Sequence, residues 1–365
     1  MISLYFHLPF CTKKCDYCHF FVLPNKEALK AQLMESLHLE WKMRFPQIEG
    51  KKICTVYFGG GTPALFGPER IAEILSWIPL ESGAEVTLEA NPENITLSLM
   101  EAYAKAGINR VSIGIQSLDD RLLQALGREH SAEKAQEGVH TTAQAGIQNI
   151  SVDLMYDLPG QTLSHWNKTL EAVTQLPITH LSLYNLTLEP HTVFFKKRVE
   201  ISKLLPEPEV SLEMYTSAVK ILESYALKQY EISAFSKPGY IAQHNVGYWT
   251  ARPFLGFGPS AFSYMEGKRF RNIAHLGKYA EQLSEQFPID FEEELDPDAK
   301  QRELLAIRLR LMEGVDLSAF ELDEDTTSIC ARLAREGFLS QSEKTLKLTP
   351  QGILFYDTVA SEIVK

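Results

Sequence analysis

Short β-branched or aromatic runs recur along the chain, each followed by a stretch of helical period, and this alternation constrains the fold more than any other feature. The runs are "SLYFHLPF" (3–10), "CTVYFGG" (54–60), "EVTLEAN" (85–91), "RVSIGIQS" (110–117), "ISVDLMY" (150–156) and "HLSLYNLTL" (180–188), with a weaker one at "YEISAFS" (230–236). Between them lie amphipathic segments such as "KEALKAQLMESLHLEWKMRF" (26–45) and "SAEKAQEGVHTTAQAG" (131–146). Gly107, Gly127 and Gly146 each follow a periodic segment, where a helix would stop. Strand and helix alternating six times predicts an α/β fold with a parallel sheet and crossover helices, doubly wound or closed into a full or partial β/α barrel.

The polar residues tilt the choice. The first run leads into three cysteines and the second into "GGGTP" (59–63). The third ends on Glu89, Ala90 and Asn91 and the fourth on Gln116 and Ser117; Asp153 interrupts the fifth, and the sixth carries Tyr184 and Asn185. A doubly wound sheet gathers its ligand groups near one switch point, whereas a β/α barrel collects them at the C-terminal ends of all its strands. Contributions from six strands favour the barrel. After an acidic, proline-containing connection (290–300), two helices, a short hairpin and a last helix resemble a winged-helix unit. The expected division is therefore a barrel domain with a following extension over 1–290 and a C-terminal unit over 291–365.

A net charge of −11 argues against a nucleic-acid binder, which needs a basic face. The clusters "KKR" (196–198) and "KRFR" (268–271) read as solvated surface or local anion sites. The start "MISLYFHLPF" lacks the features of a secretory signal, and no run is apolar for long enough to span a membrane, so a cytoplasmic protein is expected. In a reducing compartment clustered cysteines point to metal or redox chemistry rather than disulfides. Cys54 and Cys330, isolated in apolar or helical surroundings, read as ordinary buried cysteines.

Cys11, Cys15 and Cys18, in "CTKKCDYCHFF" (11–21), allow three readings. A structural zinc needs four ligands, for which only His7, His19 or a remote residue stands in reserve. A redox pair of Cys15 and Cys18 leaves Cys11 without a task. An iron–sulfur cubane held by three thiolates keeps one iron free for a ligand. The spacing C-x₃-C-x₂-C after the first strand resembles the signature of the radical S-adenosylmethionine (SAM) superfamily. That resemblance implies a [4Fe–4S] cluster on the three cysteines, with the free iron chelating SAM and the reduced cluster cleaving its sulfonium. Glycines at the end of a strand admit a ligand close to the backbone, so "GGGTP" is a candidate for the SAM amino group. Glu89, Gln116 and Asp153 either bind ribose hydroxyls or the ammonium, or merely cap the next helices.

"LYFHLPFCTKKCDYCHF", "VYFGGGTP", "LEANPENIT", "RVSIGIQSLDDRLLQALGREH", "DLMYDLPGQT" and "HNVGYW" together resemble the oxygen-independent coproporphyrinogen III oxidase-like proteins over most of the chain. The oxidases of that group carry a fourth cysteine two positions after the third, and a long segment before the cluster. Here that position is Phe20, and ten residues precede Cys11. Both departures are similar to the other branch, the HemW-type haem chaperones. The resemblance implies that Tyr5, Gly60, Gly61, Thr62, Glu89, Gln116, Arg128 and Asp153 contact SAM. Tyr17 and Phe20 fall where the oxidases bind a second SAM. Asp157 stands where these proteins usually have glycine, beside the SAM loop.

The same resemblance implies haem as cargo, haem-accepting apo-proteins of the respiratory chain as partners, peripheral membrane contact and a homodimer. Oxidative decarboxylation of coproporphyrinogen III is the alternative activity, which would make the chain a dehydrogenase of porphyrin biosynthesis. His244 in "HNVGYW" is either a hydrogen-bonded structural residue or an axial haem ligand. In the second case Tyr248 and Trp249 would wall the haem, and Arg252 would meet a propionate.

Overall fold

The computed structural model describes all 365 residues. Six strands pair in chain order and all in parallel: β1 (Ile2–Leu8), β2 (Ile53–Gly60), β3 (Leu80–Ala90), β4 (Arg110–Gln116), β5 (Asn149–Tyr156) and β6 (His180–Asn185). Between them run α1 (Glu27–Ile48), α2 (Pro68–Trp77), α3 (Leu97–Ala106), α4 (Ala132–Gln144) and α5 (Leu163–Thr174). The weak seventh run is not a parallel strand. It folds into β7 (Lys228–Glu231) and β8 (Ala234–Ser236), a short hairpin whose second arm lies antiparallel to β6. Four later strands extend the opposite edge: β9 (Phe254–Phe257), β10 (Phe262–Met265), β11 (Lys268–Asn272) and β12 (Ile289–Glu294). The final order is β12-β11-β10-β9-β1-β2-β3-β4-β5-β6-β8-β7, a sheet that curves without closing. The architecture is a partial β/α barrel.

Register explains why these strands suit a barrel with a chemical interior. Leu4, Phe6, Val56, Phe58, Val86, Leu88, Val111, Ile113 and Val152 share one face, buried in the main core beneath the helices. Alternate positions form the opposite face and are polar: Tyr5 pairs with Tyr57, Tyr57 with Thr87, Glu89 with Ser112, Ser112 with Ser151, and Asp153 with Ser182. Parallel strands buried on both sides are usually apolar throughout. A polar inner row therefore marks the interior as a site.

Thr96, Ser131 and Thr162 accept the first-turn amides of α3, α4 and α5 through their own side chains. The caps thus come from loop residues just before each helix, and Glu89, Gln116 and Asp153 are free for another task. Gly107, Gly127 and Gly146 adopt φ of 109°, 73° and 93° at the helix ends, as the stop signals predict. At the far edge, Glu40 of α1 is fully buried. It pairs with Arg44 at 2.7 Å and accepts the Tyr279 hydroxyl at 2.6 Å and the Gly258 amide at 2.8 Å, tying α1 to the β9–β11 region.

The main sheet continues to Glu294. Beyond it, α8 (Pro297–Arg308), α9 (Glu324–Arg335) and α10 (Tyr356–Val364) join a three-stranded antiparallel sheet around a separate core that includes Leu305, Leu309, Leu333, Leu346 and Ile363. α6 (Pro208–Ser224) packs on α5 and adds Met214, Ala218 and Leu222 to the main core, while α7 (Gln243–Trp249) packs against both β2 and α8 and so touches both units. Cys330 is buried in the second core, while Cys54 is half-buried and donates to the Ile2 carbonyl at 3.3 Å. No helix is long and apolar enough to cross a membrane.

Candidate functional site

The C-terminal ends of the strands open into a cleft of roughly 350 Å³. Cys11, Cys15 and Cys18 form one wall, on a loop that leaves β1 through a two-residue strand, Phe10–Cys11, paired with Leu23–Pro24. The loop is pinned on two sides. The Asp16 amide bonds the Leu126 carbonyl at 3.3 Å, and the Asp16 carbonyl accepts from the Phe194 amide at 3.0 Å. Gly127 sits directly against Asp16, where an added Cβ would come within 3.2 Å of the carboxylate. Burial raises the thiols of Cys11, to about 11, and of Cys18, which favours their neutral form.

Gly60 and Gly61 seat the cysteine strand from below. Gly60 has φ of 116°, and a Cβ there would strike the His7 ring at 2.6 Å; one on Gly61 would meet the Phe10 carbonyl oxygen at 2.7 Å. The amides of this turn are already used, Gly60 on Glu89 Oε2 at 3.1 Å, Gly61 on the Leu8 carbonyl at 3.1 Å and Thr62 on the Phe10 carbonyl at 2.8 Å. What the turn can still offer a ligand is carbonyl oxygen, the complement of an ammonium group.

The remaining wall is built of the polar inner row. Glu89 accepts the Tyr57 hydroxyl at 2.8 Å, and burial pushes its carboxyl up to about 7 against the pull of Tyr57 and the Gly60 amide. Asp153 accepts from Ser112 at 3.2 Å, and burial raises it too, although Ser182, Arg110 and Ser112 offset part of the shift. Gln116 sits at φ of 60° where the β4–β5 register shifts, a bulge that turns the strand end into the cleft. Arg128 spans the two halves of the site. It donates to Cys15 Sγ at 3.5 Å, Asn91 Oδ1 at 2.8 Å and the Gly114 carbonyl at 2.6 Å, and Asn91 passes the chain of bonds to Thr62 at 3.0 Å.

Cys11, Cys15, Tyr17, Cys18, Phe20, Gly60, Gly61, Thr62, Glu89, Gln116, Arg128 and Asp153 thus line one cleft. Tyr5 and His244 do not. Tyr5 lies in a neighbouring aromatic cleft with His7, Phe21, Tyr248, Phe254 and Phe262, and His19 and Phe20 belong to both walls. His244 is buried beneath. Its Nδ1 meets the Thr55 hydroxyl at 2.9 Å, its Nε2 the Tyr248 hydroxyl at 2.9 Å, and its amide donates to Glu85 at 2.9 Å. Arg252 is engaged with Cys54 Sγ at 3.1 Å and the Gln243 carbonyl, and Trp249 faces Arg310. Of the aromatic pair in this helix, Tyr248 alone walls the aromatic cleft, held there by His244. Ser112 and Gly114 were not legible as site residues from motifs. Their period-two alignment with Gln116 on β4 is the signal that carries them.

No three His, Cys, Asp or Glu side chains converge on a point fit for one metal ion. Three separated thiols on one cleft wall suit a cluster that presents a different iron to each, and they fit a cubane better than a zinc.

Comparison with known proteins agrees. Residues 5–173 match the Radical SAM superfamily and residues 295–355 the HemN C-terminal domain. The chain is 32% identical over 376 aligned positions to the heme chaperone HemW of Bacillus subtilis (strain 168), covering 98% of each chain. The chain belongs to the HemW family of radical SAM proteins. A second HemW, from Lactococcus lactis subsp. lactis (strain IL1403), is 34% identical over 87% of this chain and 84% of its own. In fold, the HemW-type chain is similar to the solved coproporphyrinogen III oxidase (HemN) of Escherichia coli, with a TM-score of 0.88 at 23% identity over 100% and 90% of the two chains. Membership of the radical SAM superfamily implies a [4Fe–4S] cluster and SAM.

Asp157 sits at φ of 62°, the left-handed region that suits the usual glycine. Its buried carboxylate accepts from Asn185 at 2.6 Å through Oδ2, while Oδ1 has no partner. It tethers a residue of the cleft wall instead of projecting into the cleft.

Proposed function

We propose that this chain is a haem chaperone that binds haem beside its cluster and passes it to haem-accepting apo-proteins. The observation that carries the reading is relatedness to HemW proteins along nearly the whole length of the chain. Two features of the site support it. Phe20 occupies the position where the oxidases of the wider group carry a fourth cysteine, and a cleft lined by Tyr5, Phe20, Phe21, Tyr248, Phe254 and Phe262 adjoins the cysteine cleft.

In this reading Cys11, Cys15 and Cys18 hold the [4Fe–4S] cluster. The Gly60–Thr62 turn offers carbonyls to the SAM amino group, and Glu89 and Asp153 supply carboxylates for its ammonium or ribose hydroxyls. Gln116 and Arg128 fix the cleft's shape around it. When bound, the cluster supplies the electron that cleaves the sulfonium. The residues of the chain orient SAM and keep water from the cluster. Arg128, already on Cys15 Sγ, offsets the charge of the thiolates.

The deciding experiment is an anaerobic haem titration into cluster-reconstituted protein, run beside an assay for coproporphyrinogen turnover with SAM and a reductant. A saturable, near-stoichiometric Soret band without turnover supports the chaperone. Turnover to protoporphyrinogen, or no saturable haem binding, overturns it.

A further inference from the structure

Three imidazoles stand at the aromatic cleft or directly behind it, and they differ in what their nitrogens already do. His7 has Nδ1 against the Tyr5 hydroxyl at 3.0 Å and Nε2 against the Phe21 carbonyl at 3.1 Å. His244 has both nitrogens on hydroxyls, those of Thr55 and Tyr248. Each is buried, and ligating a metal would cost a hydrogen bond and a rearrangement of the packing. His19 is exposed, and neither of its nitrogens is bonded within the chain. Its ring lies 4.6 Å from that of Phe20, and both side chains stand on the ridge that divides the cysteine cleft from the aromatic one.

We propose that His19 is the axial ligand through which the chain holds the iron of a haem laid in the aromatic cleft. The inference rests on the haem-chaperone reading and adds to it the residue and the place. Haem iron takes a neutral imidazole nitrogen, and the macrocycle needs flat apolar faces that are accessible before loading. Phe20 and Phe262 are 53% and 48% exposed, an unusual state for two phenylalanines flanking one cleft. Tyr248 and Phe254, edge to face at 4.7 Å, form the floor. Arg271 stands 5.7 Å from the Phe262 ring and pairs with Asp290 at 2.9 Å, so a propionate at that rim would have to take the place of the Asp290 carboxylate. The ligand is then one residue away from Cys18, and cargo and cluster share a segment of backbone. His244 acts on this site as a positioning residue, since it holds the Tyr248 hydroxyl.

The test titrates haem anaerobically into reconstituted wild type, His19→Ala, His19→Met and His244→Ala, recording absorbance and the electron paramagnetic resonance of the ferric haem, with iron and sulfide counted per chain. The expected result is that His19→Ala keeps its cluster, binds haem about tenfold or more weakly, and regains the wild-type spectrum with added imidazole. His19→Met keeps affinity better but moves the band, because a thioether replaces the imidazole. His244→Ala keeps an imidazole-type spectrum. A wild-type spectrum and affinity in His19→Ala overturn the assignment and leave the chaperone reading standing. Should His19→Ala lose its cluster, His19→Met decides alone, and an unshifted band there overturns the assignment. No saturable binding by the wild type removes the chaperone reading, and this inference with it.

Discussion

The guanidinium of Arg310 lies 4.3 Å from the ring centroid of Trp249, and the same group stands 5.1 Å from the Tyr356 ring and 3.3 Å from the carboxylate of Glu231. One side chain therefore joins the end of α7, the last helix and the β7 edge of the main sheet. Replacing it with alanine leaves Glu231, 4% exposed, without its partner. Arg310→Ala is expected to lower stability by about 3 kcal/mol, the usual cost of stranding one member of a buried pair. The Glu231→Gln, Arg310→Met double variant, which strands no charge, should lose less. Denaturant titration followed by circular dichroism reads both, and equal losses would refute the account.

His244→Ala is expected to be a stability variant. It strands two buried hydroxyls, those of Thr55 and Tyr248, for a cost of roughly 2–3 kcal/mol. Its midpoint in urea should fall with the m-value unchanged.

Acid should weaken the fold through the same histidines. Burial lowers His244 to about 3, helped by the nearby Arg252, and burial lowers His7 to about 4, both from 6.5. Between pH 6.5 and those values the unfolded chain binds protons that the native chain refuses. This contribution is intact above pH 6.5 and is lost as the pH falls, by up to about 1.4 kcal/mol per pH unit for each group. The pH dependence of stability from pH 7 to 5 should flatten in His244→Gln, and an unchanged slope would refute the assignment.

Glu89 runs the other way. Its carboxyl is raised from 4.5 to about 7, so its contribution is full below pH 4.5 and fades as the pH rises through 7. Relative to Glu89→Gln, the wild type should lose roughly 3 kcal/mol between pH 4.5 and pH 8 in cofactor-free protein. Parallel pH profiles for the two proteins would show that burial does not govern this carboxylate.

Asp157 balances two opposing effects. Asp157→Gly relieves a left-handed backbone but gives up the Asn185 bond, and the two nearly cancel, so stability should stay within about 1 kcal/mol of wild type. Asp157→Ala keeps the backbone strain and loses the bond, and should cost about 2 kcal/mol. Thermal denaturation separates the two.

Much of this was legible in the residues. Parallel alternation is seen as the residues predict, and the cysteine loop and the strand-end residues Glu89, Gln116 and Asp153 face one cleft, because period-two patterning is a local property of the chain. The hairpin at Lys228–Ser236 reads as one strand in sequence, since "YEISAFS" alternates correctly and its reversal lies in two residues, Ile232 and Ser233, without the Gly, Asn or Asp of a two-residue hairpin turn. The surroundings of His244 were open for a different reason. Its partners Thr55 and Glu85 are 189 and 159 residues away, and only the folded sheet brings them there. The separation of Tyr248 from Trp249 is equally non-local, because the tryptophan faces Arg310, far along the chain.

β1 pairs with β2 on one side and with β9, residues Phe254–Phe257, on the other. The strand that leads to the cysteines is thus made first and finished late. A ribosome must deliver more than two-thirds of the chain before Leu4 and Phe6 find their second neighbour. Until then an apolar strand waits with an open edge, the state in which nascent chains aggregate or recruit chaperones. Maturation of the metal centre is consequently expected to follow synthesis rather than accompany it, and damage to the β9 segment should appear first as poor iron incorporation in otherwise full-length protein.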